Sequence, residues 1–245
     1  MTRTLGLVLE YDGSGFHGWA RQPGLRTVQG VLEEALDTVF PGRGPLTVAG
    51  RTDTGVHASG QVASLAVEAG PPPPKAPLAL NQLLPEDVAV TACREEDEGF
   101  SARFSAHSRA YEYRVLLSRV RSPLRAARVH HHPRPVDLAL LEACAALLPG
   151  EHDFRAFTPT VTEHEVFRRD VLHASWRRDG DEAVFRIEAD SFLRHMVRIL
   201  VGTMLGVAGG RFDVATFEEL LAGADRTAAG ETAPPHGLCL VAVRY

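Results

Sequence analysis

The sequence predicts an α+β chain of two related lobes with a mixed, largely antiparallel sheet. Two observations carry this expectation. Segments with strand patterning and segments with helix patterning are interspersed through both halves of the chain. The length, 245 residues, suffices for one large domain or two small ones, and 44% hydrophobic with 23% charged residues is an ordinary globular composition. The halves do not align by residue, so kinship between them is suggested by element order alone.

Taken in order, Thr4 to Glu10 reads as a strand, ended by the Gly-rich turn Asp12-Gly13-Ser14-Gly15. Thr27 is placed to cap an amphipathic helix with Val28, Val31, Leu32, Ala35, Leu36 and Val39 on one face and Gly30, Glu33, Glu34 and Asp37 off it. The apolar, partly β-branched run Pro45 to Ala49 and the extended pattern of Gln61 to Val67 read as strands flanking a loop. Gly70-Pro71-Pro72-Pro73-Pro74-Lys75 is expected to be an extended surface link, because proline is excluded from helix interiors and central strands. A short helix to about Leu84, a strand near Val88 to Cys93 and an acidic turn at Arg94-Glu95-Glu96-Asp97-Glu98 complete the first half. In the second half, Arg109 to Leu117 alternates as a long strand. Asp137 starts a helix whose apolar run through Leu148 stops at Pro149-Gly150. Val171 to Trp176 and Ala183 to Ala189 form a hairpin around Asp179-Gly180-Asp181. A long apolar helix from about Ser191 to Val207, a shorter one from Asp213 to Leu221 and a strand from Leu238 to Val243 follow.

Composition excludes several classes. No stretch approaches the roughly 18 uninterrupted apolar residues of a membrane span, and the N-terminal segment meets Glu10 too soon for a signal peptide, so a cytoplasmic protein is expected. Cys93, Cys144 and Cys239 are odd in number, far apart and set among apolar residues, which suits small core residues rather than a disulfide framework or zinc site. The formal charge of −5 argues against a non-specific polyanion binder. Arginine is nevertheless concentrated at Arg103 and Arg109, from Arg114 to Arg128, at Arg168 and Arg169, and at Arg194 and Arg198, while acids gather at 94–98, so a basic face is compatible with that balance. In His130-His131-His132, strand alternation would let only His130 and His132 share a metal, and no carboxylate or cysteine stands at ligand spacing, so no metal site is expected. Asp12 to Gly15 and Gly42-Arg43-Gly44 are too short and wrongly placed for a nucleotide-binding fingerprint, and no Ser, Cys or His arrangement forms a catalytic triad.

The residues with the most chemistry lie at Gly50-Arg51-Thr52-Asp53-Thr54-Gly55-Val56-His57, which sets one carboxylate between a cation and a permissive glycine in a loop between strands. Arg51 is placed to keep that carboxylate ionised. The same tetrad, Thr-Asp-Thr-Gly, also suits an ordinary turn, and the local chemistry leaves both readings open. Arg194 and Arg198 stand four apart on one face of a helical segment otherwise apolar, where an unpaired guanidinium would cost roughly 3–5 kcal/mol. Asp53 or a substrate phosphate is the natural partner, with Arg194 the readier of the two to reach solvent. Tyr111 and Tyr113 share a strand face, where core packing and a base contact are both open. Phe100-Ser101-Ala102-Arg103-Phe104-Ser105 interleaves aromatics with a cation, which suits an RNA contact or an ordinary edge.

Ordered blocks along residues 5 to 245 resemble the TruA family of tRNA pseudouridine synthases: Glu10-Tyr11-Asp12-Gly13-Ser14 with Gly18-Trp19 and Arg21-Gln22, Thr27-Val28-Gln29, Gly50 to Ala58, Phe100 to Phe104, Tyr111-Glu112-Tyr113, His195-Met196-Val197-Arg198, and the stretch from Gly237 to Val243. The resemblance implies the pseudouridine synthase fold, two ferredoxin-like lobes with a central active-site cleft. Residues 1–106 would form the lobe carrying the catalytic loop, and residues 107–245 the lobe completing the cleft and the tRNA-binding surface. It implies that Asp53 is the nucleophile of a reaction that detaches uracil, turns it and rejoins it through carbon, without cofactor or metal. Tyr111 would contact the base and assist proton movement, and Arg198 would pair with Asp53. Arg51, Arg103, Phe100, Phe104, Arg194, Arg168 and Arg169 would bind RNA. The implied partner is the anticodon arm of tRNA, its target uridine flipped out, held by a homodimer in which each tRNA touches both subunits. Three departures bear on RNA binding: Ala20 where Gln is common, Glu112 where a basic residue is common, and the acidic Val161-Thr162-Glu163-His164-Glu165 where a basic stretch is expected.

Overall fold

The structure, a computed structural model, describes residues 2–162 and 165–245. Glu163 and His164 of the acidic stretch therefore lie outside the described residues. The chain forms two compact units, Met1–Arg109 with Cys239–Tyr245, and Ala110–Leu238.

The first unit opens with β1 (Arg3–Tyr11), whose Leu5, Leu7, Leu9 and Tyr11 alternate into the core at 3% exposure or less. A 3-10 turn at Gly13–Gly15 follows, capped by the Asp12 carboxylate, which accepts from Ser14 N. Helix α1 (Val28–Val39) begins where expected, because the Thr27 hydroxyl accepts from Gly30 N and the Val28, Leu32, Ala35, Leu36 stripe is buried. Strands β2 (Thr47–Val48) and β3 (His57–Val67) flank the Asp53 loop. The proline run departs from its expected extended form. Pro72 is extended, but Pro73–Lys75 closes a 3-10 turn that feeds α2 (Ala76–Asn81), since proline is tolerated in a first turn where its missing N–H is not needed. Strand β4 (Val88–Glu96) also departs from expectation: Arg94, Glu95 and Glu96 form no acidic turn but continue the strand, paired opposite Gly6, Leu5 and Thr4.

The second unit runs from β5 (Ser108–Leu116) through β6 (His130–His131), α3 (Leu138–Ala146), β7 (Gly150–Asp153), β8 (Arg168–Asp179), β9 (Glu182–Ala189), α4 (Met196–Ala208) and α5 (Val214–Leu221). Asp137 caps α3 and Asp213 caps α5, each accepting from backbone N–H groups of the first turn. Strands β8 and β9 form the expected antiparallel hairpin, turning at Gly180 with φ +62°. Helix α4 starts five residues later than its apolar pattern indicates: the stretch from Ser191 to His195 is not helical, and His195 itself is left-handed at φ +60°. Finally β10 (Leu238–Arg244) lies parallel beside β3, with Cys239 opposite His57 and Leu240 opposite Ala58.

In the first unit the strand order is β4-β1-β3-β10, with β2 also on β3. In the second it is β5-β9-β8-β7, with β6 parallel to β5. Most neighbours are antiparallel, as expected of this α+β chain. The core of the second unit centres on Phe154, Phe157 and Phe217, all fully buried with centroids about 6 Å apart in sequence of contact (6.0 and 5.8 Å), and on Trp176, whose Nε1 donates to Met204 Sδ at 3.3 Å. Among the described residues no helix is long and apolar enough to cross a membrane.

Candidate active site

In the first unit the chemistry-bearing loop is held by buried polar groups that touch its backbone. Gln61, fully buried on β3, donates from Nε2 to Gly50 O at 2.7 Å and to the Tyr11 hydroxyl at 3.3 Å. The Tyr11 hydroxyl meets Thr52 Oγ1 at 2.8 Å, and Trp19 N donates to Thr52 O at 3.0 Å. Upstream, Ala49 O accepts from both Nε and Nη2 of Arg109, at 3.1 and 2.9 Å. Downstream, Val56 N donates to Asp53 O, closing a turn through Gly55 at φ +78°. Burial pushes the Tyr11 phenol up, so it serves as a neutral hydrogen-bonding post. These contacts turn a loop that local chemistry leaves ambiguous into a fixed mount for Asp53, which is itself half-buried.

Two close backbone approaches tighten that mount. A Cβ on Gly13 would stand 2.0 Å from Val56 O, and one on Gly18, whose φ is +82°, would stand 2.9 Å from Thr52 O. Gly13 N donates to His57 Nδ1 at 3.1 Å, so the far end of the loop is tied to the turn after β1. Arg51, two residues before Asp53, is exposed, while Asp53 is half-buried.

The other residues of this unit singled out by sequence lie on one turn. Ala102 N donates to the buried Ser64 Oγ, Ala102 O accepts from Tyr245 Oη at 2.9 Å, and Arg103 O accepts from Arg109 Nη2 at 2.7 Å. Phe100 meets Tyr245 in a tilted contact with ring centres 4.9 Å apart. Phe104 is 80% exposed, with the Arg103 guanidinium 5.1 Å from its ring centre.

In the second unit Tyr111 is 8% exposed and meets Phe192 edge-on at 5.0 Å. Tyr113, fully buried, donates to Pro234 O at 2.8 Å, and burial pushes its phenol up. Arg198 lies near the start of α4 and is half-buried; its Nε donates to Ala233 O at 2.8 Å, while Ala233 N donates to Arg198 O at 3.0 Å. The segment 230–237 thus bridges Arg198 and Tyr113. It presses close on α4: a Cβ on Gly202 would stand 1.8 Å from Glu231 O, and one on Gly230 would stand 2.7 Å from Thr203 Cα. Arg194 is not on the same helix face as Arg198, contrary to the spacing argument, because the left-handed His195 separates it from α4 and leaves it exposed.

Arg168 is exposed and paired with Glu151, while Arg169 Nη1 is turned toward the carbonyls of Val166 and Arg168. The ring centres of His130 and His132 lie 6.0 Å apart and those of His130 and His236 lie 6.4 Å apart, yet among the described residues no group of three or more His, Cys, Asp or Glu is placed to hold a metal ion. Sequence reasoning missed Tyr11, Gln61 and Ala233, whose roles arise from contacts across long separations; the adjacent motifs that contain Tyr11 were the available signal for one of them.

The chain matches the tRNA pseudouridine synthase family over residues 7–105 and 144–245. It is 39% identical to tRNA pseudouridine synthase A of Halalkalibacterium halodurans, covering 96% of this chain and 90% of the relative. It is 41% identical to that of Idiomarina loihiensis, with 98% and 92% covered, and 42% identical to that of Chloroflexus aurantiacus, with 99% and 89% covered.

Proposed function

This chain belongs to the tRNA pseudouridine synthase family, isomerases that act on uridine in tRNA, and from that premise we propose that Asp53 is the nucleophile, supported by Tyr111 and Arg198. The reaction breaks the bond between N1 of uracil and C1′ of ribose and makes one between C5 and C1′. A proton leaves C5 and one is gained at N1, so nothing is oxidised or reduced. A carboxylate suits this, whether it attacks C1′ and displaces the uracil or adds at C6, because in either route it is released unchanged.

The observation that carries the reading is the clamp on residues 49–52, in which one buried and two part-buried hydrogen bonds fix the chain leading into Asp53. Arg198 supports it as the partner of the Asp53 carboxylate. Its Nε is committed to Ala233 O, which sets the plane of the guanidinium, and a carboxylate takes its bonds from such a plane. Tyr111, on a buried strand face beside Phe192, offers the flat edge that a flipped uracil can meet. Arg51, Arg103 and Phe104 are the exposed groups of the first unit that reach RNA, with Phe104 held outward on a turn tied at three backbone positions. Arg194, Arg168, Arg169 and Phe100 complete the RNA-binding set of this proposal.

The substrate is the anticodon arm, on the 3′ side of its stem and loop. A cytoplasmic homodimer, each tRNA touching both subunits, belongs to the same proposal. Tritium release from tRNA carrying uridine labelled at C5 tests it, with Asp53→Ala beside the unaltered protein. Release that requires Asp53 supports the assignment; equal release from a folded Asp53→Ala protein refutes it.

A further inference from the structure

A groove of about 570 Å³ opens on the second unit, away from the Tyr111 face of β5 in sequence but next to the start of α4. Its polar lining comes from Thr160, Arg194, His195, Arg226, Thr227 and Thr232, with no aspartate or glutamate lining it among the described residues. Such a balance is unusual here. Most arginines with a defined partner face an acid: Arg21 meets Glu33, Arg26 meets Asp87, Arg125 meets Asp181 and Glu182, and Arg186 meets Glu112. Among the described residues neither Arg194 nor Arg226 has an acidic partner.

Arg226 is the more telling of the two. It is half-buried, and its guanidinium reaches only Ala229 O at 3.5 Å and Thr232 Oγ1 at 3.4 Å, both at the long limit of a hydrogen bond. A dehydrated guanidinium so weakly satisfied is matched by a carboxylate or a phosphate. Among the described residues, its acidic neighbours in sequence are already committed: Asp225 accepts from Thr227 N and Oγ1, at 2.8 and 2.7 Å, and Glu231 pairs with Arg211. Burial also lowers the readiness of Arg226 to hold its charge, a cost that an anion would reverse.

The opposite wall is equally fixed. Thr158 Oγ1, on a residue 2% exposed, donates to Arg194 O at 3.2 Å, and the left-handed His195 turns the chain there before α4 begins. A non-glycine residue is held in that strained region only where the surroundings impose it, which is common at binding sites. Thr232 adjoins Ala233, which holds Arg198, so the groove shares a backbone with the proposed catalytic partner.

We infer that this groove seats a phosphodiester of the RNA, gripped between Arg194 and Arg226, and so sets the register of the strand that carries the target uridine. The inference rests on the tRNA substrate of the family and not on the role of Asp53. Its test is therefore equilibrium binding of tRNA over a salt series in the Asp53→Ala background, with Arg226→Gln, Arg226→Lys and Arg194→Gln added singly and a thermal melt for each. Each Gln variant is expected to weaken binding about five- to tenfold and to reduce the slope of log K against log salt by about one, while Arg226→Lys keeps the slope. Slopes unchanged in both Gln variants would overturn the inference. So would equal losses for Arg226→Lys and Arg226→Gln accompanied by a lowered melt, since that pattern belongs to a structural arginine. Arg194→Gln, at an exposed position, keeps the test informative if Arg226 variants fold poorly. Unimpaired turnover in the Asp53→Ala protein would sink the nucleophile and leave these slopes as they are.

Discussion

Gln61→Leu separates the mounting of Asp53 from the proposed nucleophile itself. Leucine fills nearly the same volume, so the fully buried site gains no large cavity and the loss is confined to hydrogen bonds. Gly50 O loses its 2.7 Å donor, Val62 N loses the Gln61 Oε1 acceptor at 3.2 Å, and the Tyr11 hydroxyl loses a 3.3 Å neighbour but keeps Thr52 at 2.8 Å. One partly buried carbonyl left unsatisfied costs about 1–3 kcal/mol. For a chain of this size that is a fall in Tm of roughly 2–12 °C. The larger effect is expected in turnover, since an ångström of freedom at a reacting group costs up to about 100-fold. Single-turnover tritium release, run well below the lowered Tm, should fall by about 10- to 100-fold. Tyr11→Phe removes the Thr52 contact from the same network, so the double variant should lose less than the sum of the two single effects. A folded Gln61→Leu protein turning over within twofold of the unaltered one would show that the clamp serves stability alone and would refute the argument that it holds Asp53 for chemistry.

Other outcomes follow from the same geometry. Asp53→Ala should abolish tritium release while shifting stability by no more than about 1 kcal/mol by denaturant titration, as befits a half-buried loop residue. Arg198→Lys keeps a charge but cannot give Ala233 O the same planar donor, so it should reduce turnover at least about tenfold and fail to restore the activity of the unaltered enzyme in the same assay. Gly202→Ala drives a Cβ to within 1.8 Å of Glu231 O, and the resulting displacement of the bridging segment should lower stability by about 1–3 kcal/mol in a melt and reduce activity with it. His130 is pushed down to about 4, first by burial and then by His132, His236 and His131. The unfolded chain, titrating near 6.5, binds the proton more readily, so this contribution to stability is complete above about pH 6.5 and is lost as pH falls toward 4. Discounted for partial exposure it amounts to about 1–2 kcal/mol, and a His130→Gln protein should show a flatter dependence of Tm on pH over that interval.

What could be read in advance was local. Thr27 and the stripe from Val28 to Leu36 specify α1 within one stretch of chain, and Asp137 and Asp213 mark helix starts by the same capping chemistry. The Asp53 loop was legible because an apolar run, a glycine and a second run enclose it. What sequence missed depends on partners elsewhere. The apolar pattern through Phe192 and Leu193 promises helix, yet Phe192 lies against Tyr111, eighty-odd residues earlier, and the chain turns at His195 instead. Arg94 to Glu96 look like a turn until β1 offers them hydrogen bonds, which outweigh the weak strand preference of acidic residues. Gln61 was visible only as one residue of a strand, because the carbonyl it serves comes from a loop whose path the strand pattern leaves undetermined.

The parallel pairing of β10 with β3 has a consequence for how the molecule is made. Residues 57 and 58, at the exit of the Asp53 loop, receive their neighbours from residues 239 and 240, which leave the ribosome after the entire second unit. A nascent chain can therefore complete the second unit while the first still lacks a strand. Val241 O sits so close to Gly60 that a Cβ there would stand 2.4 Å away, leaving the late strand a tailored seat. Until that seat is filled, the Asp53 loop hangs from an exposed strand edge, open to pairing with another chain. Synthesis thus withholds a finished setting for Asp53 until nearly all of the described sequence has emerged.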